Sequence, residues 1–205
     1  MNEQKIIPLR KRYSTAFIEA GCDEAGRGCL AGPVVAAAVV LPEGFFHPLL
    51  NDSKLTTHKQ REILRDFIME NAIAWSVGLV DNVEIDKINI LEASIKAMHL
   101  ALDALSLIPE LLLIDGNRFK PYRDIPHYCV IGGDGIYQSI AAASILAKTQ
   151  RDRIMTNLHN EYPQYNWGKN KGYPTLEHRK AVSIHGTTPY HRLTFNMSYQ
   201  TRIEL

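Results

Sequence analysis

Residues 34–41 read Val-Val-Ala-Ala-Ala-Val-Val-Leu, without a polar side chain among them. A strand sends successive side chains to opposite faces, so a run of this kind reads as a strand buried on both faces. Pro42-Glu43-Gly44 ends it. Around it the chain alternates strand-like and helix-like stretches. Residues 16–22 read as a short strand ending at a turn, and residues 73–80 as a third strand. Between them, residues 57–71 predict a helix, with Ile63, Leu64, Phe67 and Ile68 at helical spacing among charged neighbours. Residues 90–107 predict a helix with a broad apolar face, stopped before Pro109. Residues 111–114 and 128–131 are short apolar strands. Residues 136 to about 161 predict the longest helix, in which Ala141, Ala142 and Ala143 are small enough for a close helix–sheet contact. The pattern predicts an α/β domain with a mixed sheet flanked by helices, its first strands joined as hairpins. After Pro163 the composition shifts to Tyr, Gly, Pro, Lys and His, with a short helix near residues 176–185. The expected layout is an extension over 1–15, a main domain over 16–162, and a small helical C-terminal cap on that domain over 163–205.

Composition excludes several classes. Of 205 residues, 45% are hydrophobic and 22% charged, which rules out fibrous and disordered chains and leaves enough apolar mass for a core. Three cysteines make a disulfide framework an unsuitable reading and favour a reducing, cytoplasmic setting. No apolar run approaches about 18 residues, so no membrane span is expected. Residues 1–13 lack the apolar core of a secretory signal. The net charge is only +1, but it is unevenly spread. Residues 14–147 hold ten Lys and Arg against seventeen Asp and Glu. Residues 148–192 hold eight against three, together with four histidines. An acidic body followed by a basic quarter suits a protein that holds divalent metal in one place and a polyanion in another.

Three aspartates stand at strand ends beside glycine: Asp23 after Gly21-Cys22, Asp115 before Gly116, and Asp134 after Gly133. Sites in open α/β sheets gather at the carboxyl ends of strands. Singly, each aspartate reads more readily as a turn residue. Together they form a cluster that would repel itself without a cation, and a hard divalent metal with oxygen ligands is the natural partner. Glu24 is a fourth acid. Its side chain joins the others only if the chain turns there; otherwise it offers its backbone carbonyl. In Gly26-Arg27-Gly28 the glycines allow close approach of a ligand to the backbone, and the arginine can bind phosphate.

The segment Asp23-Glu24-Ala25-Gly26-Arg27-Gly28, followed by Leu30-Ala31-Gly32-Pro33-Val34, closely resembles the N-terminal signature of the type 2 ribonucleases H, the bacterial ribonuclease HII family. Further stretches resemble the same family in the same order. They are Asp52-Ser53-Lys54-Leu55, Ile114-Asp115-Gly116-Asn117, Gly133-Asp134 with residues 141–148 and Arg151-Asp152-Arg153, then Lys171-Gly172-Tyr173-Pro174-Thr175 with His178, and His191-Arg192. The resemblance covers about residues 16–195. It implies a ribonuclease H-like fold and cleavage of the RNA strand of RNA–DNA hybrids. It also implies cutting 5′ of single ribonucleotides embedded in duplex DNA, with 3′-hydroxyl and 5′-phosphate ends. Asp23, Glu24, Asp115 and Asp134 would be the catalytic acids, holding two Mg²⁺ or Mn²⁺ ions. Gly26, Arg27 and Gly28 would contact the ribonucleotide, and Tyr173 would stack on the adjacent deoxyribose. Lys54, Lys148, Lys171 and Arg192 would bind backbone, with Lys169 and Arg179 as further candidate cations. The expected partners are nucleic acid alone, with a monomer needing no protein subunit and no membrane.

Other residues have plainer readings. Trp75 is assigned to the core. Trp167 belongs either to the core or to a stacking surface. His178, His185 and His191 lack zinc-site spacing. Cys29 is a small filler, and Asp152 an ion-pair partner. The nearest rival is type 3 ribonuclease H, which usually lacks the intact Gly-Arg-Gly and carries an extra N-terminal domain. A resolvase or integrase of the same fold leaves Tyr173 unexplained, and a non-catalytic descendant would have lost an acid. A heterotrimeric catalytic subunit would need more chain for docking.

Overall fold

The computed structural model describes residues 8–50 and 56–198. Five strands form one mixed sheet: β1 (Glu19–Ala25), β2 (Val34–Val40), β3 (Ala74–Val80), β4 (Leu111–Asp115) and β5 (His127–Val130), in the spatial order β3-β2-β1-β4-β5. The first three are antiparallel neighbours, and β4 and β5 run parallel to β1. The helices are α1 (His58–Asn71), α2 (Asn82–Ile88), α3 (Ile90–Asp103), α4 (Gln138–Glu161), α5 (Trp167–Asn170) and α6 (Leu176–His185). This is the expected α/β architecture with its mixed, helix-flanked sheet.

All seven residues of β2 are buried, because each face of the sheet carries its own helical layer. Ala20, Cys22, Ala36, Ala38 and Ile114 face α3, packed on Ala93, Ala97 and Met98. On the opposite face, Ala37 and Val39 meet Ala141–Ala143 of α4 and Leu64 and Ile68 of α1. α4 comes closest to the sheet at Gly21 of β1, where any Cβ would collide with the Ser139 and Ile140 backbone of that helix. Gly21 therefore lets a long helix lie directly on the central strand.

Three boundaries differ from the sequence reading by three residues or more. β1 begins three residues later than expected and continues through Ala25, because its ladder with β2 runs on to the pair Ala25–Val35. Asp23 and Glu24 thus lie within the strand and not at a turn after it. The helix expected over 90–107 ends at Asp103, and α2 precedes it unforeseen. The break is Asn89, held at φ 67°, whose side-chain oxygen accepts the N–H groups of Leu91 and Glu92 and caps α3. The α6 boundaries agree with the expected 176–185.

The start of the described chain packs beside the sheet. Arg10 N–H donates to the Ile136 carbonyl (2.7 Å), and the Arg10 carbonyl accepts from Gln138 N–H (3.0 Å) at the first turn of α4. Tyr13 stacks on Tyr128 of β5 with ring centroids 4.6 Å apart. At the other end, Tyr165, Trp167 and Ala181 form a small core with Met155 and Leu158 of α4 and with Ala31. Trp167 is fully buried, which settles it as core. The segment after β1 is stitched to this cap: Leu30 N–H donates to the Gly172 carbonyl (2.8 Å) and Gly32 N–H to the Tyr190 carbonyl (2.9 Å).

Candidate active site

Parallel pairing brings the acids together. β1 and β4 place Cys22 beside Ile114, so the next residues, Asp23 and Asp115, stand side by side at the same strand ends. Both point to the α4 face, because Gly21 and Leu113, two residues earlier, already meet that helix layer. Asp134 follows from β5 through Gly132, which has a φ of 65°, and sits buried in the 3-10 turn Gly133–Gly135 before α4. Gly133 N–H donates to Asp115 Oδ1 at 2.7 Å and fixes that turn on the strand end. Glu24 leaves β1 on the opposite, α3 side. It borders both the main cleft and a smaller one lined by Ser94, Ile95 and Met98. Its side chain thus reaches the cleft across the end of the sheet, although the strand does not turn at Glu24.

The main cleft, of about 320 Å³, is lined by Asp23, Glu24, Asp115 and Asp134, by Gly26, Arg27 and Gly28, and by Arg61, Ser144, Lys148 and Tyr173. Electrostatics mark its acidic wall. Asp23 is raised well above the ordinary carboxylate value, first by burial and then by repulsion from Glu24 and Asp115; Ser144 hydrogen-bonds to it and opposes the rise. Glu24 is also raised by burial, against the pull of Arg27, whose Nη1 lies 3.0 Å from its Oε1. The other oxygen, Glu24 Oε2, is buried without a hydrogen-bond partner. An orphaned carboxylate oxygen among repelling carboxylates is the arrangement a hard cation relieves. Among the described residues, no three His, Cys, Asp or Glu side chains close around one point.

The ribonuclease HII family model matches residues 20–201, nearly the whole chain, and so spans every element of this cleft. The chain belongs to the ribonuclease HII family. As a member it is a ribonuclease H, an endoribonuclease acting on RNA–DNA hybrids. It is 67% identical over 181 residues to ribonuclease HII of Bacteroides thetaiotaomicron, covering 88% of this chain and 90% of that one. The crystal structure of ribonuclease H2 from Pyrococcus horikoshii matches with a TM-score of 0.70 at 29% identity, over 88% of this chain and 94% of that one. Bst-RNase HIII in complex with Mn²⁺ shares the fold, with a TM-score of 0.63 at 18% identity, over 88% of this chain and 67% of that one.

The cations expected of this ribonuclease HII sort into two groups. Arg27 and Lys148 line the cleft. Lys148 Nζ also pairs with Asp152 Oδ1 (2.6 Å), which gives Asp152 the ion-pair role expected of it. Arg192 requires correction: it is fully buried and cannot reach a phosphate from there. Its guanidinium donates to the carbonyls of Gly32 (3.0 and 2.9 Å) and Arg27 (2.9 Å). Lys171 is likewise turned away, with its ammonium on Thr156 Oγ1 (2.7 Å) and the Gly168 carbonyl (2.6 Å). Arg179 donates to the carbonyls of Asn196 and Ser198. Lys54, with Asp52, Ser53 and Leu55, lies outside the described residues.

Arg151 was foreseen only as part of a motif. It is fully buried and donates to the carbonyls of Pro33 (2.9 Å), Lys171 (2.8 Å) and Ala31 (3.0 Å). With Arg192 it fastens the glycine segment to the cap. Gly26, at φ 100°, has no room for a Cβ against the Arg151 guanidinium. Gly28 differs: its φ is ordinary and a Cβ there would meet nothing within 4 Å. Nothing within the described chain requires glycine at 28, whereas close approach of a ligand to the cleft wall would. Arg61 and Ser144 also line the cleft and were given no role in the sequence reading. Ser144 had a signal, as the polar residue after three alanines. Arg61 had none, because it comes from α1, far from the acids in sequence. Cys29 is buried and its thiol is raised by burial, as suits a filler.

Proposed function

We propose that this ribonuclease HII cuts 5′ of single ribonucleotides embedded in duplex DNA, as well as the RNA strand of longer hybrids, leaving 3′-hydroxyl and 5′-phosphate ends. The observation that carries the reading is a single cleft lined both by the four acids and by Gly26, Arg27 and Gly28. Asp23, Glu24, Asp115 and Asp134 would hold two Mg²⁺ or Mn²⁺ ions, and the buried, unpartnered Glu24 Oε2 supports that assignment. A neighbour of the same fold was solved with Mn²⁺. Bound divalent metal supplies activation of water and neutralisation of charge on the phosphodiester.

The chain's own residues do the rest. Gly26, Arg27 and Gly28 bring backbone and a guanidinium against the ribonucleotide, where N–H and C=O groups can read a 2′-hydroxyl. Arg27, tethered to Glu24, couples recognition of the sugar–phosphate to the acid wall. Tyr173, 40% exposed, lines the same cleft, where its ring would stack on the neighbouring deoxyribose. Lys148 holds its charge 5.6 Å from the centre of that ring. The protein acts as a monomer, without an obligatory subunit, in the cytoplasm and in removal of misincorporated ribonucleotides. No helix among the described residues is long and apolar enough to cross a membrane.

The test is cleavage of a labelled duplex carrying one ribonucleotide, with Mg²⁺, Mn²⁺ or EDTA, using wild type and Asp23→Asn. Metal-dependent cutting 5′ of the ribonucleotide, lost in Asp23→Asn, is the expected result. Cutting of long hybrids alone would reduce the reading to a general hybrid nuclease. Cutting that persists in EDTA would remove the metal assignment.

A further inference from the structure

His178 and His191 are buried in the cap, and neither lines the cleft. Their hydrogen bonds run in one direction. Thr188 N–H donates to His191 Nδ1 (2.9 Å), and the Trp167 indole N–H donates to His178 Nε2 (2.9 Å). Backbone and indole N–H groups only donate, so those two ring nitrogens are bare, and a neutral imidazole carries its proton on the other nitrogen. His191 Nε2–H therefore faces His178 Nε2 at 3.2 Å, and His178 Nδ1–H faces the Tyr173 carbonyl at 3.0 Å. A proton added to either ring would set donor against donor. Burial pushes both imidazoles down, His191 to about 4, which keeps the pair neutral at neutral pH.

The chain of bonds ends on the residue whose ring borders the cleft. The Tyr173 carbonyl also accepts Thr175 N–H (2.8 Å), and Tyr173 N–H donates to the Asn170 carbonyl (2.9 Å). Thr175 Oγ1 in turn accepts His178 N–H (3.2 Å) and caps α6. One side chain, His178, thus ties the first turn of α6 to the Tyr173 main chain. An interior that needed only filling would not bury two imidazoles and an indole N–H, each of which demands a partner.

We propose that His178, oriented by His191 and Trp167, is a positioning residue for substrate recognition: its Nδ1–H fixes the Tyr173 main chain and thereby the ring that meets the sugar next to the ribonucleotide. The inference rests on the reading of Tyr173 given under the proposed function. It separates the cap's two buried polar devices. The arginines Arg151 and Arg192 fasten the glycine edge of the cleft, and the histidines fasten its aromatic edge.

The experiment compares His178→Asn with His178→Leu, each alone and combined with Tyr173→Ala, on a duplex with one ribonucleotide. Both substitutions remove the Nε2 acceptor, and only asparagine keeps an N–H donor where Nδ1 stands. Asparagine is smaller than histidine and leucine slightly larger, so urea unfolding of each variant reads its structural loss separately from the kinetics. The expected result is a kcat/KM about tenfold lower for His178→Leu than for His178→Asn, a difference that vanishes in the Tyr173→Ala background. Equal activities for the two, or a difference that persists without the Tyr173 ring, overturns the proposal. If Tyr173→Ala alone leaves kcat/KM unchanged, the reading of Tyr173 fails and the proposal falls with it. A measurement on wild type stands apart from any folding defect. Long-range ¹⁵N–¹H spectra at neutral pH should show His178 protonated on Nδ1 and His191 on Nε2. A charged ring, or the opposite tautomer at His178, overturns the relay.

Discussion

Buried charge is handled in opposite ways in the seam beneath the cap and at the strand ends. In the cap and its seam with the glycine segment, Arg151 and Arg192 are fully buried, and each places its guanidinium on backbone carbonyls. At the strand ends, Asp23 and Glu24 are buried close to other carboxylates, both raised above their ordinary values, and Glu24 Oε2 has no partner. The first arrangement is complete within the chain; the second is not. Satisfied buried charge holds a shape, whereas unsatisfied buried charge marks where a ligand completes the structure. The comparison locates the chemistry at the strand ends and the scaffold in the seam between the glycine segment and the cap.

This contrast can be broken experimentally, and the largest effect is expected in the seam. Arg192→Met removes donors from the Gly32 and Arg27 carbonyls while keeping a long side chain, so folding stability should fall by about 4 kcal/mol. Urea unfolding reads this directly, and a loss within error would mean that the buried guanidinium is not holding the segment.

Next comes acidity in the cap. Unfolded, the His191 imidazole takes up a proton near pH 6.5; folded, it resists until about 4. The unfolded state therefore binds more protons between those values. Stability is full above about pH 6.5 and declines as pH falls towards 4, by about 2 kcal/mol. His191→Gln should flatten that part of the pH–stability curve.

The strand ends should respond with the opposite sign. Asp23 has its pKa raised by burial and by its acidic neighbours, so its charged form opposes folding as pH rises. Asp23→Asn should raise the melting temperature by a few degrees at neutral pH without metal, while activity is lost. Added Mg²⁺ should raise the wild-type melting temperature more than that of the variant. A variant less stable than wild type would mean that the cluster is internally satisfied after all.

The smallest stability effect is at Gly28. Open space around its Cβ position predicts that Gly28→Ala changes stability by less than about 0.5 kcal/mol. Its kcat/KM on a single-ribonucleotide duplex should fall about tenfold, because the added methyl meets substrate. Unchanged kinetics would remove Gly28 from the binding edge.

Much of this was legible in one dimension, for identifiable reasons. The all-apolar run of β2 announced a strand with both faces covered, and the structure covers them with α3 and α4. The Val/Ala and Asp-Gly punctuation located four of the five strands to within a residue or two; β1 slipped because pairing to β2 carries it past Cys22. The start of α3 at Ile90 was legible in sequence, but the short helix α2 before it, set off by the single positive-φ residue Asn89, was not. The four acids could be nominated from strand ends and from resemblance to the family. Strand alternation already put Glu24 on the opposite face from Asp23; that it still borders the cleft without a turn in the strand could not be read from sequence.

The cationic residues show the same boundary. Lysines and arginines of a basic quarter look alike in sequence, and every one of them is a candidate for phosphate. Folding sorts them: Arg192 is buried on carbonyls and Lys171 is held by a carbonyl and a hydroxyl, while Lys148 lines the cleft. Side-chain type, apolar period and local motif were fixed by sequence, and with them the sheet, its layers and the acidic constellation. Which charges are satisfied within the chain depends on contacts between segments more than a hundred residues apart, such as Arg192 with Gly32. Those pairings exist only once the cap has closed on β1, and only the tertiary structure decides them.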